Sequence, residues 1–187
     1  MHLIEPFDKW VDLYRADEDA LSPFFGREYS ESECRNTIYN YFIHPQWDEF
    51  GSSTLYLKIL YTDYIQSYTI IELMGEWNDC LYNDIMFLKR EVIDMLVEQG
   101  IKYFIIIGEN VLNFHYSDDS YYEEWFDDID DGWIVFMNFR DHIYPEMKRA
   151  RIDSYVMYGP SFQHVNWRKL QPQQLFQLIQ TGLSRLL

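Results

Sequence analysis

Lys102-Tyr103-Phe104-Ile105-Ile106-Ile107 is the stretch on which the fold turns. A short, continuously apolar run rich in isoleucine reads as a strand covered on both faces, the usual state of a strand in a parallel sheet. Upstream, Leu81, Ile85, Leu88, Val92, Met95 and Leu96 recur at spacings of four and three. That periodicity predicts one amphipathic helix of about five turns. Asn78 or Asp79 is its expected cap and Gly100 its left-handed terminator. Downstream, Gly108-Glu109-Asn110 predicts a turn. Ser117 then predicts the cap of a second helix, with Tyr122, Trp125, Phe126 and Ile129 on one face and Asp130-Asp131-Gly132 at its end.

Working outward, residues 54–61 and 67–76 are β-branched and aromatic and predict two strands joined by a short polar connection around Asp63. Residues 133–139 predict another buried strand, 141–151 a helix and 154–158 a last strand. After a linker over 159–171, Pro172 opens a C-terminal helix with Leu175, Phe176, Ile179, Leu183 and Leu186 inward. The first fifty residues are aromatic and irregular. Pro6 opens a short helix with Phe7, Trp10, Val11 and Tyr14 on one face, 16–35 is loop, and 37–43 is one β-rich run stopped at His44-Pro45. This order predicts a single α/β domain over 1–187: a mixed sheet whose later strands are parallel and joined by right-handed helical crossovers. The early hairpin adds antiparallel strands at one side. Residues 1–50 form an extension, 54–158 the core and 172–187 a closing helix. The expected core includes Leu81, Ile85, Leu88, Val92, Ile105, Ile107, Ile134 and Phe136.

From Ile70 to Gly159 the chain resembles a STAS domain, the anti-sigma-factor-antagonist fold. Ile71-Glu72-Leu73-Met74-Gly75-Glu76 resembles the strand ending in Gly-Glu that precedes the first helix of that family. Ile105-Ile106-Ile107, followed by Val111 and Phe114, resembles its next strand and the turn toward a phosphorylatable serine, near which Ser117 falls with one residue inserted. Where the family has an Asp-Ser-Ser-Gly-type run, this chain has His115-Tyr116-Ser117-Asp118-Asp119. The resemblance covers about half the chain and implies a regulatory, protein-binding domain with a STAS-like core.

The 187 residues carry a formal charge of −16, with 15 basic against 31 acidic side chains. Such a field repels phosphate backbones and anionic membranes, so neither nucleic acid nor a membrane is an expected partner. A basic protein surface or a cation is allowed. No signal-peptide pattern opens the chain, no apolar run approaches bilayer length, and Cys34 and Cys80 lie outside any CxxC pattern. A cytoplasmic location with both thiols reduced is expected.

No motif here specifies a reaction. A Gly-rich phosphate loop, a GxSxG elbow and HExxH spacing are all missing, so no cofactor, metal or catalytic residue is expected. Parallel sheets collect ligands beyond the carboxyl ends of their strands. That places Glu76, Asn78, Glu109, Asn110, Asn113, His115 and Ser117 on one candidate binding edge. Each has a structural explanation too, since Asn, Asp and Ser cap helices and close turns everywhere. Residues 109–131 hold nine carboxylates and no Lys or Arg occurs from 103 to 139. They are a solvated helix face or, with Tyr121, Tyr122, Trp125 and Phe126, an acidic aromatic contact surface at residues 113–128. Two functions follow: a protein-interaction domain using that surface, or a small-molecule or metal-dependent enzyme with Glu76, Glu109 and His142 as acid, base or ligands.

Overall fold

The apolar run around Ile105 is the middle of a four-stranded sheet. The computed structural model describes residues 2–30 and 36–184, so Cys34 and Leu186 lie outside the described residues. Strands β1 (His2–Ile4), β2 (Thr37–Ile38) and β3 (Tyr41–Ile43) form a small sheet in the order β1-β3-β2. Strands β4 (Leu55–Asp63), β5 (Tyr68–Asn78), β6 (Tyr103–His115) and β7 (Trp133–Met137) form the large one, in sequence order. The pair β4–β5 is antiparallel, while β5–β6 and β6–β7 are parallel. The architecture is the expected α/β mixed sheet with parallel later strands and an antiparallel early hairpin at one side.

Alternation along the strands sorts the core into two layers, because successive side chains point to opposite faces. Ile71, Leu73, Phe104, Ile106, Ile134 and Phe136 face the crossover helices. Ile70, Ile105, Ile107, Val135 and Met137 face the other way, under Trp10, Trp167 and the C-terminal helix α6 (Pro172–Leu183). Pro172 is at the first turn of α6, and Leu175, Phe176, Ile179 and Leu183 are buried as the spacing predicts. Phe176 stacks on Tyr68 with 4.1 Å between ring centroids.

The long helix is four pieces rather than one. Asn78 caps α1 (Asp79–Tyr82), its Oδ1 accepting from Leu81 N at 3.0 Å. Asn83 then turns left-handed at φ 55°, a conformation asparagine tolerates. Helix α2 (Asp84–Leu88) follows, then a π-helical turn (Lys89–Ile93) and α3 (Asp94–Glu98), ending at Gly100 with φ 86°. Ile85, Leu88, Val92 and Leu96 are buried, but Leu81 precedes the break and is 75% exposed, so it is not core. Met95 is also exposed.

Other departures have physical reasons. Gly108-Glu109-Asn110 is not a turn: β6 continues through it, with a shift of register against β5 between Ile107 and Asn110. Gly108 is needed because a Cβ there would lie 2.4 Å from the Phe139 ring. Ser117 caps nothing: α4 (Ser120–Asp128) starts after Asp119, and Asp118 Oδ1 takes the Ser120 N–H at 3.0 Å. The expected single strand at 37–43 is a hairpin, β2 and β3, turned at Tyr39 with φ 51°. Residues 9–13 form turns, and no helix forms over 7–14. The predicted last strand reduces to a single parallel bridge, Val135 to Met157. The helix expected at 141–151 is α5 (Tyr144–Arg149).

Candidate functional site

The long reach of β5 and β6 past β7 divides the predicted edge into separate groups. Register places Glu76 beside Asn113 and Asn78 beside His115, at the carboxyl end. There the Glu76 carboxylate accepts from Tyr39 OH at 2.7 Å and from Asn78 Nδ2 at 3.4 Å, and His115 Nε2 lies 3.2 Å from its Oε1. Asn113 Nδ2 donates to Tyr39 OH at 3.2 Å. Four of the seven candidates therefore meet, joined by Tyr39 from the small sheet. Around them stand exposed apolar groups. Tyr39 is 60% exposed, and on α1, which Asn78 caps, Leu81 is 75% and Tyr82 43% exposed. Cys80 Sγ, at 2.7 Å from the Tyr116 carbonyl, ties α1 to the end of β6.

Glu109 and Asn110 belong to a second, partly buried group. Glu72, fully buried on β5, accepts from Phe7 N at 2.9 Å, Arg168 Nη2 at 3.1 Å and Asn110 Nδ2 at 3.3 Å. Glu109 accepts from the same Arg168 nitrogen at 2.8 Å, and from Asn138 Nδ2 and Trp167 Nε1, both at 2.8 Å. Phe7 packs edge-on against Trp167 at 4.7 Å, and the guanidinium lies over both rings. Desolvation pushes the Glu72 carboxyl up to about 7 despite its donors. Burial acts on Glu109 in the same sense, but donors from Arg168, Asn138 and Trp167 outweigh it and hold that carboxyl below its ordinary value. This group pins both terminal segments to the centre of the sheet. It lies four residues before Glu76 on β5, roughly 13 Å at the strand rise.

The three residues named as acid, base or ligands have separate partners. Glu76 is at the rim, Glu109 is in the group around Arg168, and His142 Nε2 lies 2.9 Å from the Leu112 carbonyl. Ser117 is exposed and joins neither group.

Helix α4 turns its aromatics inward: Tyr122 and Trp125 are fully buried, while Tyr121 and Phe126 pack partly buried against the core. Tyr122 OH donates to Asp79 at 2.9 Å, and burial lifts that carboxyl to about 7. Outward, Asp94, Glu124 and Asp128 could together hold a metal ion. The buried Lys89 ammonium occupies their midst, 2.7 Å from Asp128 and 3.5 Å from Glu124 and also in contact with Asp94. The cations this cluster holds are Lys89 and Arg90, whose guanidinium reaches Asp94 at 3.1 Å and Glu124 at 2.8 Å.

Sequence reasoning missed Glu72, Arg168 and Tyr39. Glu72 had a signal, a lone acid inside Ile70-Ile71-Glu72-Leu73-Met74, which a strand buried on both faces must satisfy with donors. Arg168 and Tyr39 had none, because each arrives from a distant segment. Among the described residues, no helix is long and apolar enough to cross a membrane. No protein-family model matches this chain, and no curated protein matches it either.

Proposed function

We propose that this chain is a regulatory, non-enzymatic interaction domain that engages a protein partner through the rim at the carboxyl ends of β5 and β6. The observation carrying this reading is the Glu76–Asn78–Asn113–His115 network, which holds the exposed Tyr39 and whose Asn78 caps α1, the helix that bears the exposed Leu81 and Tyr82. Exposed apolar groups bordered by satisfied polar ones are the composition of a contact surface. The polar groups are already oriented by one another, so docking orders few side chains, which lowers the entropic cost of association. The chain's charge of −16 favours a partner with a basic face.

The STAS-like resemblance is the fold context for this reading. It is supported by the succession of strand, helices, strand, helix and strand from β5 to β7. The serine switch of that family is not carried over, because Asp118 and Asp119 follow Ser117 and would repel an added phosphate. The acidic face of α4 serves as the electrostatic approach rather than as the apolar anchor, since its large aromatics point inward.

The test uses the full chain as bait in extracts of its source cells, beside Leu81→Asp and Tyr39→Ala baits. Proteins held by the wild type should be lost from Leu81→Asp, weakened by Tyr39→Ala and released by raised salt. Retention of the same proteins by both variants would sink the proposal.

A further inference from the structure

The chain has six lysines, and Lys58 differs from the rest in its surroundings. Lys9, Lys148 and Lys169 are exposed, and Lys102 is half exposed. Lys89 is buried with its ammonium locked among three carboxylates. Lys58, on β4, keeps 15% of its side chain exposed and lines a cleft of ≈ 350 Å³ between β4 and the N-terminal segment. Trp10, Val11, Tyr14 and Leu60 supply apolar wall to that cleft. A space of this size matches a small organic molecule.

The ammonium nitrogen lies 3.8 Å from the centre of the Tyr29 ring and 3.4 Å from Asp48 Oδ2. Asp48 is itself fully buried, and its other oxygen accepts from Tyr29 OH at 2.6 Å and Arg27 Nη1 at 3.2 Å. Among the described residues its Oδ2 accepts no hydrogen bond and meets the looser ion-pair approach of Lys58. A desolvated amine beside a buried proton acceptor, opening on a cleft whose wall is part apolar and part charged, with Glu5, Asp8, Arg15, Asp17 and His44 in its lining, is an arrangement that carbonyl chemistry can use.

We propose that this cleft binds small aldehydes and ketones and that Lys58 joins the bound carbonyl carbon as an imine. The balance closes within the cluster. The Lys58 ammonium passes one proton to Asp48, and the neutral nitrogen adds to the carbonyl carbon. As it adds, one nitrogen proton passes to the carbonyl oxygen, and the resulting hydroxyl, taking the proton held by Asp48, leaves as water while the protonated carbon–nitrogen double bond forms. No electrons change hands. Burial lowers the Lys58 amine from its ordinary value, and the charges of Asp48 and Asp17, which oppose this, do not cancel it; Arg27 acts in the same sense as burial. The site lies apart from the carboxyl-end rim and does not rest on the interaction reading.

The experiment treats the intact wild-type chain with benzaldehyde and sodium cyanoborohydride, which reduces an imine to a stable benzylamine, and maps the adducts by peptide mass spectrometry. Lys58 should be benzylated ahead of Lys9, Lys148 and Lys169, with its rate rising at lower pH than theirs. Val11→Trp, at a half-exposed wall position, should slow Lys58 alone by filling the cleft. Lys58→Arg should lose the adduct and leave the other sites unchanged. Labelling at Lys58 that is no faster than at the exposed lysines would overturn the proposal. So would a Lys58 rate indifferent to Val11→Trp.

Discussion

Glu72 shows how one residue couples sequence, packing and pH. Its neighbours Ile70, Ile71, Leu73 and Met74 are fully buried, so its carboxyl is taken out of water with them. Desolvation favours the protonated form and wins over the Phe7 N–H and Arg168, leaving the group near 7 instead of 4.5. A carboxyl raised in the folded state holds a proton that the unfolded chain has released. Its contribution to stability is therefore complete below about pH 4.5 and is lost as pH climbs to about 7. Glu72→Gln, neutral throughout, should gain on the wild type by up to about 3 kcal/mol between pH 4.5 and pH 8. Denaturant midpoints of both proteins across that window check this, and a constant difference would contradict it. The acid was legible in the sequence as an oddity, but its partners came from residues 7 and 168, which no local pattern links to it.

The elements β6 and the 79–98 helical stretch carry the lesson at the next scale. Periodicity located the buried face of that stretch at Ile85, Leu88, Val92 and Leu96. It could not show that Asn83 would turn left-handed and put Leu81 outside. Ile85→Ala should cost about 2–5 kcal/mol, as loss of a packed core side chain does. Leu81→Asp should change stability by no more than about 0.5 kcal/mol. Thermal unfolding of the two variants separates them, and a large loss in Leu81→Asp would return that residue to the core. In β6, glycine followed by Glu and Asn reads locally as a turn. It is strand because Phe139 fills the space a Cβ at Gly108 would take, and because Glu109 and Asn110 find Arg168, Asn138 and Glu72.

For the whole molecule, charge is the dominant long-range property. With −16 and its buried cations already paired, as Lys89 and Lys58 are, the chain should not bind random duplex DNA at micromolar concentration in ~150 mM salt. A gel-shift titration checks this, and a stable complex would require a basic patch that the charge pattern does not offer. By itself the sequence determined the α/β class, the parallel order of the later strands and most of the core. These depend on periodicity and composition within short windows, where neighbouring residues share one environment. Only the tertiary structure decided which polar residues meet. Glu76, Asn78, Asn113 and His115 gather because β5 and β6 run side by side beyond β7, and Tyr39 completes the group from another sheet. Lys58 and Asp48 meet across ten residues, and Glu72 and Arg168 across ninety-six. Contacts of that span follow from how the chain folds back on itself, and a linear pattern holds no record of them.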